Sequence, residues 1–362
     1  MFLAWKEIKH SKTRFALIIG VMLLVSYLVY FLIGLSYGLA QANRTAIDKW
    51  EADGIVLTDE SNTNIGMSMM TFEEAKKVEG KETALLGQAP NVVRKSGETG
   101  EESKINVSFF GINDDEFLMP EVVEGKSFTS NDEVIADITL KEKEGIVLGD
   151  VLELAGTDKK VEVVGFTEGA QFSVSPVLYT TISGYQEIRF DAIDESENGR
   201  ISAVIVRNNG ELETVTEKSE DLVAYPIAEY INKIPGYNAQ VLTFGLMIGF
   251  LVVIAAIVIG IFIYVLTLQK TSLFGVMKAQ GISSGYISRS VLAQTFLLAV
   301  IGVGIGLVLT ILTSLVLPPA VPYSTNIMFI AAITFLLIVF AVLGALFSVR
   351  TVVKIDPLEA IG

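Results

Sequence analysis

Residues 15–43, FALIIGVMLLVSYLVYFLIGLSYGLAQAN, run from Arg14 to Arg44 without a charged side chain. A membrane-crossing helix needs about 20 apolar residues, so this stretch is long enough to cross. Moving outward, the same reading recurs. Residues 234–269 carry no charge between Lys233 and Lys270, and residues 290–349 carry none between Arg289 and Arg350. Pro318-Pro319-Ala320-Val321-Pro322 divides the last stretch in two. Four spans are predicted: TM1 near 15–38, TM2 near 242–268, TM3 near 290–316 and TM4 near 327–349.

The charged residues sort around these spans. Residues 44–233 hold 38 acidic and 18 basic side chains, a net of −20. The rest of the chain holds 3 acidic and 9 basic ones, a net of +6, and the two sum to the overall −14. Lys6, Lys9, Lys12 and Arg14 precede TM1; Lys270, Lys278 and Arg289 separate TM2 from TM3; Arg350 and Lys354 follow TM4. Positive loops stay on the cytoplasmic side. Both termini are therefore expected in the cytoplasm, with 44–233 outside, in a multi-pass protein of a bacterial plasma membrane. Ala40-Gln41-Ala42 has the look of a signal cleavage site, but the apolar run exceeds the roughly 7–15 residues of a signal peptide.

The fold class that follows is a membrane α-helical protein of four transmembrane helices, with a large extracytoplasmic α+β domain inserted between TM1 and TM2. The chain divides into 1–43 (an interfacial helix around Trp5, then TM1), 44–233 (the outer domain), 234–269 (TM2) and 270–289 (a cytoplasmic segment). Residues 290–317 follow as TM3, 318–326 as an outer loop, 327–349 as TM4 and 350–362 as a cytoplasmic tail. In the outer domain, helix is expected to continue TM1 over 44–60 up to a strand at 54–58. A capped helix is expected at 71–79, with Thr71 and Glu74 as its capping box. Strands are expected at 83–94, 104–112, 133–136, 151–155, 161–167, 176–181 and 201–207, and helices at 211–222 and 226–234. Asp114-Asp115-Glu116 lacks the ligand spacing of a calcium loop and reads as a solvated turn.

Composition excludes several chemistries. There is no cysteine and one histidine, His10, so thiolate metal sites are out and a histidine-based triad would rest on one residue beside a membrane flank. No metal site, catalytic residue or nucleic-acid partner is expected. No span contains an ionisable Asp, Glu, Lys, Arg or His, which argues against an ion- or proton-coupled carrier. The chain also lacks G-x-x-x-x-G-K-[ST] and holds no phosphate-cradling loop of its own. Gly34 and Gly38 in TM1, and Gly245 and Gly249 in TM2, fit G-x-x-x-G; packing within the chain and pairing with a second copy both account for them.

Three segments carry a resemblance. Gly125-Lys126-Ser127-Phe128, Leu148-Gly149-Asp150 and Pro176-Val177-Leu178-Tyr179 belong to the first. The second is Gln269–Gly281, and the third is the tail Lys354–Ile361. Together they resemble the MacB/FtsX-type permeases of ABC transporters. Phe31–Leu39, Phe262–Val265 and Val303–Gly306 are similar to the haem-efflux permeases of that group.

The resemblance implies an ATP-driven exporter. Two copies would pair as a homodimer in the lipid bilayer above two ABC ATPase subunits, which bind ATP-Mg. No intrinsic cofactor is implied, and haem would be cargo, taken from the outer leaflet between TM1 and TM2 and expelled by mechanotransmission. Lys270, Leu273, Phe274, Val276, Met277, Lys278 and Gly281 would form the ATPase-coupling segment; its apolar and basic mixture suits a groove on a soluble partner. Haem iron takes Met or Tyr ligands among others, and the candidates near the outer boundary are Tyr30, Tyr37, Glu229, Tyr230, Tyr237 and Met247, with the Glu229 carboxylate the more suggestive because a charge so near the bilayer usually has a reason. The alternatives are an FtsX-like scaffold that switches on a cell-wall hydrolase, or export of a peptide, lipid or drug.

Overall fold

The computed structural model describes residues 12–210 and 221–354. The interfacial helix with His10 and Trp5, most of the helix expected at 211–222, and the tail from Ile355 lie outside the described residues. The chain forms two units: residues up to Gly38 and from Leu242 onward, and Leu39–Val241.

The first unit holds four helices long and apolar enough to cross a membrane. TM1 runs Lys12–Ala42, TM2 Tyr237–Gln269, TM3 Ser284–Ser314 and TM4 Ile327–Lys354. At 33 residues, TM2 is about 50 Å long, well beyond the ~30 Å hydrocarbon core. Lipid tails are as apolar as leucine, so contact between spans depends on close packing and hydrogen bonds. Small residues supply the close approach. A side chain at Gly302 would strike Met22, and one at Gly306 would strike Ser26, so TM3 sits directly on TM1. On the other side of the bundle, Gly260 of TM2 faces Gly344 of TM4, whose added Cβ would lie 3.0 Å from the Gly260 Cα. Three buried threonine hydroxyls turn back onto their own helices: Thr267 donates to Ile263 O, Thr295 to Val291 O and Thr310 to Gly306 O.

The second unit is an α+β domain built on one mixed sheet. Its strands are β1 (Gly54–Thr58), β2 (Met70–Thr71), β3 (Glu82–Lys95), β4 (Ile105–Ile112), β5 (Glu124–Gly125), β6 (Glu133–Asp137) and β7 (Val151–Leu154). Then come β8 (Lys160–Thr167), β9 (Gln171–Phe172), β10 (Ser175–Thr181), β11 (Arg200–Ile201), β12 (Ala203–Arg207) and β13 (Leu222–Pro226). The order is β13-β1-β12-β3-β4-β10-β6-β8-β5; β2 and β11 pair separately. β4 runs parallel to β10, and β6 to β8.

Both sheet faces are buried, which explains the near-continuous apolar runs in the central strands. Successive strand residues point to opposite faces, and here each face has its own core. Ile135, Phe110, Tyr179 and Ile205 join Trp50 on one face. Val134, Ala136, Phe109 and Leu178 fill the other.

Helix Ile182–Phe190, absent from the sequence reading, covers β3 and β4. Thr181 caps it through Gly184 N at 2.8 Å. Its Tyr185 fits only because β3 and β4 offer Gly87 and Gly111 beneath the ring. The glycines were visible as letters, but their purpose depends on strand register.

Three expectations need correction. TM1 does not continue through 44–60. Asn43 donates its side-chain amide to Leu39 O at 2.8 Å, closing the helix end, and only the single turn Thr45–Asp48 follows. The capping box at Thr71 and Glu74 is present, but the helix is one turn, Phe72–Ala75, because the chain turns at Gly80 against Val206 to enter β3. Leu222 begins β13, paired with β1 at Thr58, and is not helical.

Candidate functional site

TM2 and TM3 are joined by the short helix Thr271–Ala279. Its start is set by Lys270, whose carbonyl accepts from Phe274 N at 2.9 Å. The Lys270 ammonium lies 5.3 Å from the centre of the Phe15 ring in TM1. At the other end, Gly281 N donates to Lys278 O at 2.9 Å and Ile282 N to Met277 O at 3.0 Å. These two bonds form a Schellman stop, which requires a left-handed residue after the helix end. Gly281, at φ +87°, is that residue. Ser283 then caps TM3 through Tyr286 N.

The helix has two different faces. Phe274 is buried against Ile287 and Val291 of TM3, with Met277 and Ile282 closing the cluster. Leu273 and Val276, three residues apart and on one stripe, are 49% and 41% exposed. Of the seven coupling residues read from sequence, Phe274, Met277 and Gly281 therefore build and hold the helix. Leu273 and Val276 form the open apolar stripe. Period alone did not separate the two sets, because residues 273, 274, 276 and 277 share one continuous arc of about 160° at 3.6 residues per turn.

Gln294 of TM3 escaped the sequence reading because it is uncharged. It is 7% exposed, and its side-chain nitrogen has no hydrogen-bond partner. It lines a cavity of about 20 Å³ with Phe15, Lys270, Phe274 and Thr295, room for one water molecule. An amide in the middle of a charge-free run was the signal available.

The haem-ligand candidates do not form one cluster. In the membrane unit, Tyr30 is buried among Ala255, Val303 and Leu337, and its hydroxyl shares a 2.5 Å hydrogen bond with Thr334 of TM4. Tyr37 stands edge-on to Phe329 at 5.7 Å. Met247 lies on an exposed face of TM2. In the outer unit, Glu229 is exposed and paired with Lys233 at 2.7 Å. Tyr237 belongs to the outer core with Tyr230. Burial pushes the Tyr230 phenol up, away from the phenolate that binds iron.

The four motif glycines divide as well. Gly34 packs under the ring of Tyr323 and Gly38 under the backbone at Pro322, both in the outer loop; Gly34 O also accepts from Ser324 N at 3.1 Å. Gly245 and Gly249 have nothing within 4 Å of an added side chain. Packing within the chain explains the first pair and leaves the second on an open face. Glu116 in the acidic turn is no solvated residue: its carboxylate accepts from Leu85 N at 2.7 Å and Asn113 Nδ2 at 2.9 Å.

Residues 245–357 match the FtsX-like permease C-terminal family, which covers most of TM2, the connecting helix, TM3 and TM4. Over the whole chain, the hemin transport system permease protein HrtB of Staphylococcus epidermidis is 27% identical, with 100% of this chain and 99% of that protein aligned. HrtB of Staphylococcus haemolyticus is 24% identical over the same shares. An uncharacterised ABC transporter permease of Mycobacterium tuberculosis is 25% identical, with 100% and 99% covered. The periplasmic region of MacB from Actinobacillus actinomycetemcomitans overlaps 49% of this chain and 89% of its own, at 12% identity and a TM-score of 0.35. The chain thus carries a match to the FtsX-like permease C-terminal family over its last three spans, and over its whole length it is similar to the HrtB proteins and to an ABC transporter permease.

Proposed function

We propose that this chain is the membrane half of an ATP-driven haem exporter. Both termini and the Thr271–Ala279 helix lie in the cytoplasm and 44–233 outside. Two copies pair, and each seats its connecting helix in a groove of an ABC ATPase. The observation that carries this reading is the exposed Leu273–Val276 stripe on a helix fixed from behind by Phe274 and ended by Gly281. A stripe of this kind suits helix-in-groove docking, and the chain needs a partner to bind ATP because it has no nucleotide loop. Haem as cargo rests on the names of its full-length relatives.

The work is mechanical in this scheme. The spans hold no ionisable group with which to couple an ion gradient. Ala40 at the end of TM1 and Tyr237 at the start of TM2 pack in the outer domain's own core beside Trp50 and Tyr230. A change in helix spacing driven by the ATPase would therefore be felt inside that core.

Two experiments test the parts separately. Co-expression with the ATPase should yield a complex that Leu273→Asp/Val276→Asp abolishes and Leu273→Ile leaves intact; a complex indifferent to both would remove the docking assignment. Haem titration of the purified chain should give a saturable Soret band, weakened in Met247→Leu or Glu229→Ala. If the wild type shows no saturable band, haem is not the cargo, and the permease assignment still stands.

A further inference from the structure

The outer domain contains a cavity of about 310 Å³ that the export scheme leaves unused. It lies at the low end of the size range of small-molecule sites, roughly 300–1,000 Å³. Its apolar wall includes Ile65, Val107 and Phe172, each at least 94% buried. Into it faces Tyr230, a residue only 1% exposed. The Tyr230 hydroxyl has no hydrogen-bond partner among the described residues, whereas the buried Tyr30 and Tyr185 hydroxyls are bonded to Thr334 and Ser202. A hydroxyl on a cavity-lining residue that makes no bond to the protein is free to bond what enters the cavity.

A second group in the same lining has bonding capacity left. Gln88, 4% exposed, spends its side-chain nitrogen on Ser108 Oγ at 2.8 Å. Its Oε1 is left as an acceptor, and it lies 2.9 Å from where a side chain on Gly66 would begin. The rim is built from unfavourable backbone. Asn62 and Thr63 (φ 47° and 64°) and Ser173 and Val174 (φ 48° and 68°) are consecutive left-handed pairs beside the mouth. Left-handed φ is costly for a β-branched residue such as Val174, and strain of this kind gathers at ligand clamps. No side chain lining the cavity is charged.

We infer that this cavity is a binding site for an uncharged small amphiphile, an apolar body carrying an amide or hydroxyl that gives a hydrogen to Gln88 Oε1 and pairs with the Tyr230 hydroxyl. A carboxylate or phosphate would enter without a counter-charge and lose its hydration. Haem, with its two carboxylates, is therefore not the ligand of this site. The site stands independently of the export reading.

The test uses the full chain in lipid nanodiscs, on a Trp5→Phe background that leaves Trp50 as the single indole. Trp50 reaches the cavity through a ring relay: 6.0 Å to Phe110, then 5.5 Å to Phe172. The probes are 4-propylbenzamide and its charged isostere 4-propylbenzoate, read by Trp50 emission and by thermal shift. The amide should bind saturably and the benzoate at least tenfold more weakly. Tyr230→Phe should weaken the amide about fivefold, the worth of one hydrogen bond, with an unchanged melting temperature because the hydroxyl holds nothing in the fold. Silence of both readouts to the amide, equal binding of the two probes, or unaltered binding in a folded Tyr230→Phe would each overturn the assignment.

Discussion

Ile282 donates its backbone N–H to Met277 O at 3.0 Å, and the two side chains close one apolar cluster with Phe274 on TM3. That bond exists only because Gly281 between them turns left-handed. Gly281→Ala should cost about 1 kcal/mol, and Gly281→Val more, since a β-branched residue tolerates positive φ least. In the assembled transporter both should lower ATPase activity while leaving membrane insertion intact. Normal ATPase activity in Gly281→Val would show that the helix end need not be fixed.

Gln294 keeps an unpaired amide nitrogen beside Phe274 and Lys270. Removing a buried polar group that has no partner relieves its desolvation cost. Gln294→Leu should therefore hold or raise the melting temperature of the purified permease, by the equivalent of about 1 kcal/mol. A clear fall would mean that the amide is satisfied in the working protein.

Asp137 is fully buried in β6 and serves three donors: Ala170 N at 2.6 Å, Thr139 N at 3.0 Å and the Thr139 hydroxyl. Burial, and after it the Asp137 charge, pushes the Tyr179 phenol up. Asp137→Ala strands the donors and should destabilise the outer domain by about 3 kcal/mol. Asp137→Asn should cost less, because it keeps one acceptor but sets an N–H against the second donor. Circular-dichroism melts of the two variants give the order.

Glu133 accepts from Lys126 Nζ at 2.9 Å, from Thr129 N at 2.6 Å and from the Thr129 hydroxyl at 2.8 Å. These donors, Lys126 first, hold its carboxyl at about 2 against an ordinary 4.5. A depressed folded value stabilises the fold above the unfolded value, and that stabilisation fades as pH falls from about 4.5 through about 2. The melting-temperature gap between wild type and Glu133→Gln should therefore be constant near neutrality and shrink across this window. A gap that widens in acid would contradict the assignment.

Gly38 lies under the Pro322 backbone, whereas Gly245 meets nothing. Gly38→Leu should lower the stability of the isolated chain, and Gly245→Leu should leave it unchanged. If the TM2 face is where two copies meet, Gly245→Leu should instead shift the sedimentation profile from dimer to monomer. A retained dimer would place the contact elsewhere.

The sequence by itself determined the number of spans, the inserted domain and most of its strands. Charge-free runs of this length have no other solution in water or lipid, because a bilayer admits backbone only when its hydrogen bonds close internally. It also marked the connecting helix, through Lys270, Lys278 and Gly281. It did not divide the apolar residues of that helix into a packed face and an open one. Phe274 and Leu273 are neighbours of equal hydrophobicity, and only the position of TM3 decides which is covered. Likewise, Gly34 and Gly245 head identical motifs, yet a distant proline loop fills one and nothing in the chain fills the other. The sequence listed Tyr230 among possible haem contacts; the packing of the helix Ile227–Lys233 set it in the wall of a cavity without charge. Local sequence fixes hydrogen bonds to near neighbours, but burial and unmet bonding capacity depend on residues that only the tertiary fold brings together.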